Sequence, residues 1–191
     1  SRKYAFPFLE TKWSFFIFNL NLSAEEFNIT AEEILVDKEN EIVVGKGSVQ
    51  AVDSEGKLIN ANKITYEKSR EFLLAEGEVK IADIEGNILK ADKATYDKIN
   101  ELIITYDNTE LILKEGYKLL TKNISYNTEK KILTSDHSSI FTDNDGNVIE
   151  TNMFQYHIED NLFSSIGKIK IIDVKKNKYF FKEIHVDTEK K

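Results

Sequence analysis

Ile59-Asn-Ala-Asn-Lys-Ile-Thr-Tyr-Glu67 is followed, 30 residues later, by Leu89-Lys-Ala-Asp-Lys-Ala-Thr-Tyr-Asp97. The same step runs through six units without insertion or deletion, and its anchor column is Val36, Tyr66, Tyr96, Tyr126, Tyr156 and Val186. A second apolar column lies two residues earlier and contains Ile34, Ile64, Ala94, Ile124, Phe154 and Ile184. A fixed step of this length is typical of stacked supersecondary units, each too small to bury its apolar face alone. We therefore expect function in a surface that repeats along the stack.

Each unit contains two polar turn signals, separated by runs rich in β-branched and aromatic residues. The stronger signal reads acidic-x-acidic-Gly, as in Asp53-Ser-Glu-Gly56 and Asp83-Ile-Glu-Gly86. Asp and Gly are the residues that tight hairpin turns with positive φ prefer. Alternation in Val79-Lys-Ile81 and Ile169-Lys-Ile171 is typical of strands with one buried face. Two strands per unit, joined by hairpins, predict an antiparallel all-β array of about ten to twelve strands.

Glycines recur just inside the second strand of several units, at Gly47, Gly77 and Gly167. A glycine within a strand usually marks a bulge or a sharp bend. A bend at the same place in each unit would fold the stacked strands along one line, into an elongated trough-like β-jelly roll. A parallel β-helix is the alternative solenoid. The inner face of the jelly roll would carry both apolar columns and four further residues: Val79, Ile81, Ile169 and Ile171.

Composition narrows the classes of function. The net charge of −7, from 26 basic and 33 acidic residues with no basic cluster, argues against nucleic-acid binding. The chain has no cysteine, which excludes thiol catalysis and thiolate metal sites. His137, His157 and His185 lack partners at metal-ligand spacing, and no nucleophile or phosphate-binding motif occurs. We therefore expect no enzymatic activity, no metal and no cofactor.

The N-terminal residues differ from the repeat. A basic start at Arg2-Lys3 precedes the apolar run Trp13-Ser-Phe-Phe-Ile-Phe18 and a small-residue site ending at Ala24. This order is typical of a secretory signal peptide, which predicts that residues 1–24 are the signal and residues 25–191 the repeat domain. Charged residues interrupt the apolar region, so an extra edge strand on the first unit is the alternative. The run is too short to span a bilayer as a helix.

The repeating unit resembles the OstA-like domain of the lipopolysaccharide-transport proteins. The two nine-residue stretches quoted above carry the resemblance, together with Ala75-Glu-Gly-Glu-Val-Lys-Ile-Ala-Asp83 between them. It covers about residues 27–188 in successive units, which makes it more specific than a single match. The resemblance implies a β-jelly-roll trough in the periplasm of a Gram-negative bacterium. Such a trough carries lipopolysaccharide with the acyl chains sheltered inside and the sugars in water. Both columns, with the four further residues of the inner face, would therefore line a lipid groove.

The resemblance leaves two kinds of family member open. One is the large outer-membrane assembly protein, whose N-terminal periplasmic jelly roll leads into a transmembrane barrel that has a lipoprotein partner. The other is the soluble periplasmic bridge protein. The sixth unit stops soon after Ile184-His-Val-Asp187, so we expect a domain cut from a longer assembly protein, although the lack of cysteines argues for the bridge.

In either case the resemblance and the exposed ends of a stack imply that homologous jelly-roll domains pair by edge-strand addition. Two other classes remain. The first is a structural or adhesive β-repeat whose aromatic column only fills a core and binds no ligand. The second is a solenoid enzyme acting on polysaccharide, which would need acids grouped along the stack; the repeat columns do not show such a grouping.

Overall fold

The computed structural model describes residues 27–114 and 116–187. These residues form an antiparallel β-jelly roll, as the repeat predicts, and no described strand pair is parallel, which excludes a β-helix. The strands are β1 Asn28–Thr30, β2 Glu33–Asp37, β3 Ile42–Val52, β4 Leu58–Glu67, β5 Phe72–Ala82, β6 Ile88–Asp97, β7 Leu102–Tyr106, β8 Thr109–Ile112, β9 Lys118–Thr121, β10 Ser125–Asn127, β11 Ile132–Ser135, β12 Ser139–Thr142, β13 Val148–Thr151, β14 Phe154–His157, β15 Leu162–Ile172 and β16 Lys178–Asp187. One 3₁₀ turn, Lys68–Arg70, lies between β4 and β5.

The strands are arranged in two facing sheets. The first sheet contains β2, β7, β10, β11 and β14, and the second contains β1, β8, β9, β12 and β13. The long strands β3 to β6, β15 and β16 bend in the middle and contribute one half to each sheet. The described part therefore holds sixteen strands, more than predicted, because five long strands are each divided in two at the bend.

Glycine bulges make the bend in three of the undivided strands. Gly47, Gly77 and Gly167 have φ values of 72°, 76° and 122°, in the region that side chains disfavour. The pairing register shifts at each of them, for example between Glu76 and Val79. A Cβ atom at Gly77 would lie 2.8 Å from Nδ2 of Asn62. The predicted bulges are confirmed.

Hydroxyl side chains occupy the bend where the strands are divided. Thr105 Oγ1 accepts the backbone N–H of Ile124 at 3.0 Å and lies 2.7 Å from Oγ1 of Thr109. Thr151 Oγ1 donates to the carbonyl oxygen of Met153 at 3.0 Å. These bonds satisfy backbone groups that the interrupted ladder leaves without a partner, since burial without one is costly. The buried hydroxyl residues at the bend are Thr105, Thr109, Thr121, Ser135, Ser139, Thr151 and Ser165.

Two series of turns face each other on the side opposite the bend, and we call the line between them the seam. Four of the five second-sheet turns are stabilised by an Asp side chain: in the first, Asp53 Oδ1 accepts the N–H groups of Glu55 at 3.0 Å and Lys57 at 2.8 Å. These turns begin at Asp53, Asp83, Leu113, Asp143 and Asp173. The first-sheet turns end at residues with positive φ, which are Glu41, Glu71, Glu101, Lys131 and Asn161.

We expect Thr105→Val to lower the free energy of unfolding by about 1–3 kcal/mol, because the buried N–H of Ile124 loses its acceptor while the side-chain volume stays nearly constant. Urea unfolding followed by circular dichroism measures the loss. Thr95→Val is the matched control, since Thr95 is only half-buried. Equal effects of the two substitutions would contradict the role assigned to the Thr105 hydroxyl.

Candidate functional site

Backbone pairing brings the anchor column into one continuous row across the first sheet. Tyr66 pairs with Leu73, Leu73 with Tyr96, and Tyr96 with Ile103. The same pairing continues to both ends of the described sheet. We call this line the tyrosine row, and its members are Val36, Val43, Tyr66, Leu73, Tyr96, Ile103, Tyr126, Leu133, Tyr156, Phe163 and Val186.

The second predicted column forms a parallel row nearer the bend. Ile64 pairs with Ala75 and Ala75 with Ala94, while Ser135 pairs with Phe154. Ile124 joins this row through its carbonyl oxygen, which accepts the N–H of Thr105 at 3.0 Å. Large and small side chains are mixed along the row, so that bulky groups from the opposite sheet find space between them.

The structure brings most of the predicted lining residues together in one core. Tyr126, Ile171, Ile184 and Val186 are partly buried against it. The fully buried members are Ile64, Tyr66, Val79, Ile81, Ala94, Tyr96, Ile124, Phe154, Tyr156 and Ile169.

Two predicted lining residues lie outside the enclosed interior. Ile34 and Val36 are 39% and 52% exposed. They belong to β2, which pairs with β3 and with no further strand of the described chain, so that nothing there packs over them. Within the described residues the two columns are therefore not enclosed at this end, and their assignment to a lipid groove stays a prediction.

Sequence reasoning missed about half of the inner surface. The tyrosine row includes Leu73, Ile103, Leu133 and Phe163, which are partners of the anchor residues from the neighbouring strands. These residues repeat with the same 30-residue step, so the sequence contained the signal. The second sheet adds a further row with the same step on two strands per unit, in which only Ile81 and Ile171 were predicted. Its members are Ala51, Ile59, Ile81, Leu89, Leu111, Leu119, Phe141, Ile149 and Ile171.

The interior between the sheets is filled by side chains. The space bounded by Leu111, Leu119, Phe141 and Tyr156 is too narrow for a water molecule. Phe163 packs on Phe141 and on Phe154, with ring centroids 5.2 and 5.6 Å apart. A ligand between the sheets therefore requires that the sheets move apart.

A larger concavity lies at the bend and not between the sheets. It has a volume of about 620 Å³ and opens where the ladders of the divided strands are interrupted. Its lining mixes apolar side chains, including Ile104 and Met153, with polar ones such as Thr134 and Gln155. Sequence reasoning did not indicate this groove, because the division of the strands was not predicted.

The hydroxyl groups of two tyrosines of the row, Tyr96 and Tyr126, lie near carboxylates at the seam. Tyr96 donates its hydroxyl to Oε2 of Glu101 at 3.3 Å, and burial, followed by the charges of Glu101 and Asp53, raises the pKa of Tyr96. Burial, followed by the charge of Asp83, raises the pKa of Tyr126 to about 12. The fold thus favours the neutral phenol at both positions.

Raised tyrosine pKa values make stability fall at high pH. Below about pH 10 both states carry the neutral phenol, whereas above it the unfolded chain loses that proton first. We expect the free energy of unfolding to decline from about pH 10 towards the folded pKa of Tyr126, which is about 12. Urea unfolding of wild type and Tyr126→Phe across this range should show a shallower decline in the variant. Identical pH dependence would contradict the assignment.

The chain was compared with protein families, with curated proteins and with solved structures. No protein-family model matches it, and no curated protein matches it. No helix within residues 27–114 and 116–187 has the length and apolar character needed to cross a membrane. A solved structure that is similar is LptH from Pseudomonas aeruginosa, described as the LptA-homologous periplasmic component of the lipopolysaccharide transport device. The two share 16% identity with a TM-score of 0.51, over 57% of this chain and 80% of LptH, so the chain has the β-jelly-roll fold of LptH.

Proposed function

We propose that the chain is an OstA-like domain that binds lipopolysaccharide in the bacterial periplasm and conducts it towards the outer membrane. The observation that carries this proposal is the tyrosine row, a continuous apolar line from Val36 to Val186 along the inner face. The fold shared with LptH and the repeat motif of the sequence support it. The lipid acyl chains would lie between the sheets, against the rows described above.

The energetics of such a groove suit a conduit. Burying one methylene is worth about 0.8 kcal/mol, so one long acyl chain gains on the order of 10 kcal/mol from an apolar lining. Because successive repeat units offer equivalent linings, the free energy of lipid binding is similar at each step. A lipid can therefore move along the groove without meeting a deep minimum. The net charge of −7 also disfavours a tight grip on the phosphates of the headgroup.

The role within the family is a finer proposal. We favour the N-terminal periplasmic domain of the outer-membrane assembly protein, with a barrel and a lipoprotein partner; the alternative is the soluble bridge protein. The reading frame beyond Lys191 distinguishes them, because a barrel-length continuation favours the first and a stop codon the second.

Residues 1–24, proposed as a signal peptide with an edge strand as the alternative, lie outside the described residues. N-terminal sequencing of the mature protein tests that proposal.

Edge strands provide a route to partners. In the described chain β16 pairs only with β15, and β16 exposes Phe180 by 73%. β2 is the corresponding edge of the first sheet at the other end. Unpaired backbone groups on such edges favour strand addition. We propose that homologous jelly-roll domains dock there and extend the groove.

Phe181→Lys should weaken this association, because Phe181 lies on the inner face of the edge strand β16, where a charge opposes docking. Sedimentation over a range of concentrations measures the self-association. Ile166→Lys is the matched control: Ile166 is also exposed, but its strand β15 is paired on both sides. Equal loss of association in both variants would argue against edge addition.

The lipid proposal predicts a pattern of photo-crosslinking. A photoreactive amino acid at Phe154 or Tyr96, on the inner face, should capture lipopolysaccharide in cells. The neighbours Gln155 and Thr95 point to the outer face and are the controls. Capture is measured as a mass shift that carries the lipopolysaccharide epitope. Failure of both inner positions to capture lipid would favour the alternative, a structural or adhesive β-repeat that binds no ligand.

A further inference from the structure

A chain of polar contacts crosses the seam at one rung of the roll. Lys57 belongs to a second-sheet turn, and its Nζ donates to the hydroxyl oxygen of Tyr96, in the first sheet, at 3.2 Å. The same ammonium lies 4.4 Å from the centroid of the Tyr96 ring. Tyr96 in turn donates to Oε2 of Glu101, in a first-sheet turn, at 3.3 Å, and Thr128 Oγ1 donates to that same oxygen. These contacts join a second-sheet turn to a first-sheet turn across the seam.

The charges in this contact are shielded from water. The side chains of Asp53 and Lys57 are only 1% and 11% exposed, and Lys57 Nζ lies 3.3 Å from Oδ2 of Asp53. Electrostatic attraction between groups in such surroundings is stronger and less screened by salt than on the surface. Separating the two series of turns would break the contacts of Tyr96 with Lys57, and the loss of partners by buried polar groups costs free energy.

Lys57 is the one lysine at its position of the repeat in the sequence. The positions equivalent to Lys57 in the later units are Asn87, Tyr117, Asn147 and Asn177. Asn147 donates its side-chain amide to Asp143 at 2.7 Å, the counterpart of the bond from Lys57 to Asp53. Asparagine at this position therefore keeps the turn, and the longer lysine side chain adds the reach across the seam.

The seam is the side on which this rung can open. The strands β3 to β6 run unbroken through the bend, so that backbone hydrogen bonds join the two sheets there. Across the seam the contacts are made by side chains, as in the chain from Lys57 to Glu101. Since the interior is filled, the sheets must separate before a lipid can lie between them, and the side without a backbone ladder is where they can do so.

We propose that Lys57, Tyr96 and Glu101 form a clasp that holds the seam shut, and that lipid enters the roll sideways when this clasp breaks. The proposal rests on the lipid-binding function proposed above and specifies how that site is regulated. The clasp gates the part of the roll around Tyr96, whereas Tyr156 borders a narrow space between the sheets that Leu113 and Tyr117 also line.

The test uses Lys57→Asn, which retains the turn seen at the equivalent asparagines and removes the cross-seam contact. Because the chain has no cysteine, spin labels at Ser54→Cys and Ile99→Cys, exposed on opposite turns, report the width of the seam alone. We expect the distance distribution to shift to longer values in the variant without lipid. Lys63→Asn, which breaks an exposed ion pair with Glu76, is the control for lost charge. Tyr96→Phe, which keeps the ring, is a second variant in case Lys57→Asn does not fold.

Capture of lipopolysaccharide by a photo-crosslinker at Phe154 is measured in the same backgrounds. A wider seam with several-fold more capture supports the clasp. An unchanged seam in both folded variants overturns it, whatever the lipid result. A wider seam with unchanged but measurable capture overturns sideways entry and leaves the proposed function intact. A wider seam with no capture in any background, wild type included, overturns the proposed function and with it the gating of lipid.

Discussion

The structure depends on one constraint, the antiparallel pairing of strands that turn back at a constant spacing along the chain. Tyr66 lies beside Leu73, and Leu73 lies beside Tyr96, because each hairpin returns the chain at a fixed register. The turns fix that register, mostly with an Asp side chain in the second sheet and with a residue of positive φ in the first. A slip by one residue would exchange the inner and outer faces of a strand. Constant spacing therefore makes the apolar line continuous.

Polar groups inside the roll occur where backbone pairing is missing. Along the bend, hydroxyls such as those of Thr105 and Thr151 take over the hydrogen bonds of the divided strands. Along the seam, Lys57 and Glu101 meet at the hydroxyl of Tyr96. The apolar rows lie between these two polar borders. The same rule, that buried polar groups need partners, explains both borders.

The sequence was sufficient to predict the all-β fold, the hairpin turns and the bulges at Gly47, Gly77 and Gly167, because each of these follows from local chemistry. It did not predict the division of the strands, since a threonine or serine within a strand is compatible with an unbroken ladder as well. The exposure of Val36 depends on whether another strand follows β2. The contact of Lys57 with Tyr96 joins residues 39 positions apart on opposite sheets, and a repeat pattern shows neighbours within a sheet but not across one.

The division of the strands has a mechanical consequence. β6 pairs with both β7 and β8, and β15 with both β14 and β13, but between β6 and β15 the two sheets have no strand in common. Regions held by fewer backbone hydrogen bonds fluctuate more easily. Along the bend, the middle of the molecule is therefore more deformable than its two ends. In this middle part the angle between the two sheets can change without breaking a backbone ladder.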